Sequence, residues 1–171
     1  MATYQRFEEL PVWQSAADLY DRVDDFFTVA PPQLSRSFRD QLERATLSVS
    51  NNVAEGFERG TTNELLAFIY IARGSAGEVR SMLTLLKRRD WISNFKSEIS
   101  NLISLAESCS RQLRAWADSL QNSDIAGPRH LNDQTRANYQ KRVTRQKGEA
   151  EFQALLAKHL PDNHPLRQPK T

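Results

Sequence analysis

Apolar and small side chains recur along the first 120 residues at alternating steps of three and four. This spacing places them on one stripe of an α-helix, whereas a half-buried strand would show strict alternation. The pattern predicts four helices, over residues 8–29, 34–59, 62–89 and 93–121. Amphipathic helices of similar length joined by short polar turns are typical of an antiparallel, up-down-up-down four-helix bundle.

Each predicted helix should turn one stripe of side chains toward the bundle core. The four stripes are, in chain order, Trp13, Ala16, Tyr20, Val23 and Phe27; Phe38, Leu42, Ala45, Val49, Asn52 and Gly56; Leu65, Phe68, Ala72, Ser75, Val79, Met82 and Leu86; and Ile99, Leu102, Ala106, Cys109, Leu113, Trp116 and Leu120. Thr61 and Glu64 have the spacing of a capping box, which predicts the start of the third helix.

Further apolar residues lie off these stripes and predict that the bundle self-associates. They are Tyr4, Phe7, Leu19, Phe26, Ile69 and Leu83.

The composition supports an all-α fold with one principal domain. The 171 residues include only six Gly and seven Pro, whereas sheet-rich chains need more turn residues. We predict a four-helix bundle over residues 5–121 and a C-terminal extension over 122–171 that is partly helical or disordered. The extension is the basic part of the chain, because residues 121–171 hold 9 basic and 5 acidic side chains against 14 and 16 in residues 1–120.

Several classes of functional site are disfavoured by the residue types present. Cys109 is the only cysteine, so neither an intramolecular disulfide nor a cysteine-based metal site is expected. Glu55 and Glu78 lie on predicted helices, but a di-iron bundle needs Glu-x-x-His pairs and all three histidines lie in the extension. No phosphate-cradling glycine loop is present. We therefore expect no enzyme activity, metal or cofactor.

The N-terminal residues lack the basic-then-apolar pattern of a signal peptide. No apolar run approaches the roughly 20 residues that a membrane-spanning helix needs. We therefore expect a cytoplasmic protein without a membrane partner.

The segment "SVSNNVAEGFERGT" places asparagine and glycine inside a predicted helix, where both are unfavourable. Gly56 would let a second helix approach closely. The neighbouring polar residues predict a buried hydrogen-bonded network that fixes the register of the helices, since unpaired buried polar groups are costly. These register candidates are Asn52, Glu55, Gly56, Ser75 and Glu78.

Basic residues recur every seven positions on the third helix. The neighbouring positions on the same strip of the helix surface are small, polar or basic, namely Gly77, Ser81, Thr84 and Arg88, so no acid interrupts the strip. Such a surface is a solvated face, a subunit-facing strip or a phosphate-binding strip. A second basic run, in the extension, has the same alternatives. The candidate nucleic-acid-binding residues are Arg73, Arg80, Lys87 and Arg88 on the helix and Arg136, Lys141, Arg142 and Arg145 in the extension.

Three segments resemble a known family: "LPVWQSAADL" at 10–19, "VSNNVAEGFERGT" at 49–61 and "FIYIARGSAGEV" at 68–79. The family is that of four-helix bundles which includes the 23S rRNA intervening-sequence proteins and the accessory variability determinants of diversity-generating retroelements. The resemblance covers roughly residues 5–120. Its motif residues are Asn52, Ala54, Glu55, Gly56, Arg59, Ala72, Gly74, Ser75 and Glu78.

The resemblance implies a homopentamer of bundles around a central channel, without catalytic activity. For the retroelement branch it also implies binding of RNA or DNA and of a partner reverse transcriptase. The alternative is a structural or interaction scaffold of the intervening-sequence type. A neighbouring reverse-transcriptase gene with template and variable repeats would distinguish the two branches.

Overall fold

The structure is a computed structural model that describes residues 4–122 and 133–159. The predicted all-α fold class is confirmed, and the described residues contain no strand. Turns of 3-10 helix at Phe7–Glu9 and Asp90–Phe95 precede the first and fourth α-helices. The α-helices are α1 (Pro11–Val29), α2 (Arg36–Glu58), α3 (Thr62–Lys87), α4 (Lys96–Gln121) and α5 (Asp133–His159).

Helices α1 to α4 form a closed bundle in which each helix packs on the next, and α4 packs on α1. Neighbouring helices are antiparallel. The Gln41 Nε2 near the start of α2 donates a hydrogen bond to Glu78 Oε1 in the second half of α3. The Gln112 Nε2 near the end of α4 donates to Ser15 Oγ near the start of α1, over 2.9 Å.

The starts of the helices follow local sequence signals. Pro11 is the first residue of α1, where its missing N–H costs nothing. The side chain of Ser35 caps α2 by accepting a hydrogen bond from the Phe38 N–H. The N-cap half of the predicted capping box is confirmed, because Thr61 Oγ1 accepts a hydrogen bond from the Glu64 N–H over 3.2 Å. The Glu64 carboxylate accepts from the Thr61 hydroxyl over 2.7 Å, and not from the Thr61 N–H as in a complete capping box.

The predicted stripe of α1 is confirmed at Ala16 and Val23, which are buried, and is wrong by one position at its aromatic residues. Val12, Leu19 and Phe26 are buried, whereas Trp13 and Tyr20 are half-buried beside them. A helix that packs on two neighbours buries an arc of at least about 100°, so two adjacent stripes contribute to the core and the innermost one cannot be chosen by spacing alone.

The misassigned stripes also remove part of the sequence argument for self-association, which rested on apolar residues outside the predicted core. Leu19, Phe26, Ile69 and Leu83 were expected to lie outside the core, but at most 2% of each is exposed. They fill the centre of the single protomer. Self-association therefore needs support from a different surface.

The single cysteine is a core residue. Cys109 lies on α4 with no exposed surface, packed in the main hydrophobic cluster of the bundle. Burial raises the pKa of its thiol to about 11. The reactive thiolate is therefore scarce at neutral pH.

Gly56 lies at a close approach of α2 to α3. A Cβ built on Gly56 would lie 2.7 Å from Phe68 Cβ and 3.2 Å from Leu65 Cδ1. Phe68 Cβ is held by the α3 backbone and cannot turn away, so any larger residue at position 56 must push the two helices apart.

We expect Gly56→Ala to lower the free energy of unfolding by about 1–3 kcal/mol, despite the better helix propensity of alanine, because overpacking outweighs that gain. Chemical denaturation followed by circular dichroism measures the change. The matched control is Asn51→Ala, which alters an exposed position of the same helix and should be neutral or slightly stabilising. Equal stability of Gly56→Ala and wild type would contradict the close approach.

The chain divides into two compact units, Met1–Arg129 and His130–Thr171. The second unit contains α5. Residues 123–132 and 160–171 of the predicted extension lie outside the described residues. The main core cluster is made by side chains between Leu10 and Ala117, all in the first unit.

Deletion of residues 122–171 should therefore leave the bundle folded, with a free energy of unfolding within about 0.5 kcal/mol of the full chain. Denaturation of residues 1–121 and of the full chain checks this result. A large loss of helical signal per residue in the shortened chain would contradict the expectation.

Candidate nucleic-acid interface

The basic strip consists of Arg73, Arg80 and Lys87, all on α3. Successive members of the strip are seven residues apart, which corresponds to about 10 Å along the helix axis and nearly two full turns. They therefore lie on the same side of the helix. The strip therefore runs for about 21 Å along one edge of the bundle. Arg88, the C-cap residue of α3, follows directly.

The strip lies on the side of α3 that faces away from α2. The α2 side is marked by Ser75 and Glu78, which bond to α2. A rotation of about 100° per residue puts Arg73 and Arg80 about 140° or more from those two positions. The strip thus follows the edge of α3 that packs beside α4.

The members of the strip differ in exposure. Arg73 and Arg80 are half-buried, whereas Lys87 and Arg88 are exposed. The Nε of Arg80 is buried and has no hydrogen-bond partner among the described residues. The guanidinium of Arg80 is therefore partly buried, and no carboxylate of the described residues forms a salt bridge with it.

No carboxylate of the described residues forms a salt bridge with the strip or with Arg88, whereas seven arginines elsewhere have such a partner. Six of these seven pairs are i,i+4 contacts within one helix. The paired arginines are Arg6, Arg22, Arg36, Arg59, Arg111, Arg114 and Arg145. The strip is therefore a row of basic side chains without a carboxylate at salt-bridge distance among the described residues.

The basic residues of the extension lie on α5. Lys141 and Arg145 are exposed, and Arg145 Nε pairs with Glu149 Oε1 over 3.0 Å. The side chains of Arg136 and Arg142 lie outside the described residues. The described part of this cluster is thus partly neutralised, unlike the strip.

The register candidates do not form one network. Asn52 Nδ2 donates to the Ser48 carbonyl oxygen over 2.7 Å and to Ser48 Oγ over 3.0 Å, and Ser48 Oγ is 2.9 Å from Ser75 Oγ. Asn52, Ser48 and Ser75 therefore link α2 to α3 in the middle of both helices. Ser48 was not predicted, although it lies four residues before Asn52 and so on the same side of α2.

Glu55 and Glu78 are exposed and bond separately. Glu55 pairs with Arg59, whose guanidinium lies 4.8 Å from the centre of the Phe68 ring. Glu78 accepts the hydrogen bond from Gln41. The polar contacts between α2 and α3 thus occur at three levels rather than in one cluster.

The described residues contain no group of three or more His, Cys, Asp or Glu side chains that could hold a metal ion. Within the same residues, no helix is both long and apolar enough to span a membrane.

Comparisons with known proteins address the fold and the family. No curated protein matches the chain. A crystal structure of a protein of unknown function from the S23 ribosomal protein family of Bacteroides thetaiotaomicron matches with a TM-score of 0.57 at 17% identity, over 63% of this chain and 95% of that one. At this identity the likeness shows the fold. The family model of the 23S rRNA-intervening sequence proteins matches residues 8–115, and the chain therefore belongs to that family.

Proposed function

We propose that this chain is a non-enzymatic accessory protein that binds RNA or DNA through the basic strip and works as a homo-oligomer, with five subunits expected. The observation that carries the proposal is the unpaired charge of Arg73, Arg80 and Lys87 on one edge of α3. Phosphates are the natural counterpart of such a row, because each neutralised phosphate releases condensed counterions. Contacts of this kind position a nucleic acid but read little sequence.

The partner in this proposal is the reverse transcriptase of a diversity-generating retroelement. Its support is the resemblance of the segments at 49–61 and 68–79 to the accessory proteins of those elements. The proposal assigns no reaction and no cofactor to the chain itself. If the partner is absent, the chain is a structural scaffold of the intervening-sequence type.

Self-association is supported by the exposed α3 face, which we define as Tyr70, Ile71, Gly74 and Gly77. Tyr70 and Ile71 are 43% and 51% exposed, and the two glycines are exposed with open space where a Cβ would lie. A glycine inside a helix costs roughly 0.5–1 kcal/mol relative to alanine, and nothing in the protomer offsets this cost. Small residues beside exposed apolar ones suit close contact with a second chain.

We expect light scattering coupled to size exclusion to give about 98 kDa, the mass of five chains of 19.6 kDa. Ile71→Glu should dissociate the assembly, because it places an unpaired charge in the contact. Val29→Glu is the matched control, since Val29 is a more exposed apolar residue, on α1. A wild-type monomer at micromolar concentration would disprove self-association.

The strip is tested by a salt titration of binding to a short duplex. Replacing Arg73, Arg80 and Lys87 together with glutamine should weaken binding, because fewer phosphates are then neutralised. The slope of log K against log salt should fall by about 0.9 for each phosphate that the variant leaves unneutralised. Fluorescence anisotropy measures both quantities.

The matched control for the strip replaces Arg22, Arg111 and Arg114 with glutamine, which removes the same net charge from arginines that already have carboxylate partners. Its slope should stay close to that of wild type. Binding by the strip variant with an unchanged affinity and slope would overturn the proposal for α3 and leave the extension as the next surface to test.

A further inference from the structure

A cleft of about 410 Å³ opens at one end of the bundle. Its walls come from the connection between α1 and α2, the start of α2, the end of α3 and the 3-10 turn that precedes α4. Leu34 and Leu86, each 4% exposed, belong to its buried lining. The cleft has the volume of a small-molecule site.

Large apolar side chains are left open at this cleft. Leu85 is 52% exposed and Trp91 is 38% exposed, and the half-buried Phe38 lies in the same lining. An indole with an accessible surface offers a flat face on which another ring can stack. The lining therefore suits an occupant with a flat apolar group.

The same cleft lies in positive surroundings. Lys87, Arg88 and Arg89 are consecutive and exposed, Arg89 lines the cleft, and no carboxylate of the described chain forms a salt bridge with any of the three. Asp90 is the single acid in the stretch from Lys87 to Trp91. The occupant should therefore carry negative charge next to its flat group.

Arg89 and Trp91 line the cleft together with residues at the start of α2, whereas Arg73 and Arg80 lie on the side of α3 that faces away from α2. The cleft therefore has a cation of its own, Arg89, and does not depend on continuity with the strip. A ligand that joins a phosphate to a flat ring would meet both Arg89 and Trp91 in this lining. An acidic peptide would match the charge but would bring a flat ring only at particular residues, whereas every nucleotide carries one.

We propose that the cleft receives one unpaired base of a single-stranded nucleic acid, stacked on Trp91, while Arg88 and Arg89 contact the adjoining phosphates. The inference rests on the proposed nucleic-acid binding and adds a preference for single strands over duplexes. A paired base cannot enter the cleft unless it leaves its stack, which costs free energy. Any base can stack, so the site selects strandedness and is tolerant of sequence.

The test compares three labelled probes of equal length at one salt concentration: a mixed-sequence single strand, the same sequence as a duplex, and an abasic strand that keeps only sugar and phosphate. Wild type should bind the single strand most tightly. Trp91→Ala should weaken single-strand binding by about 5- to 150-fold, the effect of losing one stacked base, and leave duplex and abasic binding within about twofold. Trp91→Phe, which keeps an aromatic face, should recover most of the affinity.

The outcomes separate this inference from the proposed function. If wild type binds all three probes but Trp91→Ala changes none of them, nucleic-acid binding stands and the base site is overturned. If Trp91→Ala weakens the abasic strand as much as the normal strand, the stacking role is equally overturned. If Trp91→Ala abolishes binding of the proposed reverse-transcriptase partner and leaves the affinity for the single strand unchanged, the cleft is a protein-docking surface and the base site is overturned. If wild type binds no probe, both proposals fail.

Discussion

The close approach of α2 and α3 at Gly56 is the constraint on which the rest of the bundle depends. With no side chain at this position, the α3 backbone can bring Phe68 within reach of the α2 backbone. The same proximity allows Ser48 and Ser75 to meet farther along the two helices, and Arg59 to cover the Phe68 ring. Apolar contact and hydrogen bonding thus fix one relative position of the two helices.

The different sides of α3 have different roles, because only one of them packs against α2. The α2 side is occupied by short-range polar contacts, whereas the arginines on the opposite edge form no salt bridge with a described acid. At the end of the helix, Leu85 and Leu86 form one wall of the cleft that contains Trp91. One helix therefore carries the internal register of the protomer, a charged outer edge and one wall of a cavity.

The helices could be predicted from the sequence because their apolar periodicity and caps are local signals, as the Thr61 cap of α3 shows. The innermost stripe of α1 could not, because Trp13 and Leu19 lie on adjacent stripes that both contact neighbours. The role of Ser48 in the contact between α2 and α3 could not be predicted, because serine is common on exposed helix faces. The cleft could not be foreseen either, since Phe38, Leu85 and Trp91 meet only after the bundle closes.

Because Cys109 is buried, the rate at which its thiol is chemically labelled measures how often the core of the protein opens. A thiol with a pKa of about 11 and no exposed surface can be modified at neutral pH only when the core around α4 opens. Because no other cysteine competes for the reagent, the rate of labelling in the native chain equals the population of the open form multiplied by the reactivity of a free thiol, provided that the core recloses faster than the thiol reacts. The protein can thus be followed inside an assembly, where denaturation curves mix dissociation with unfolding.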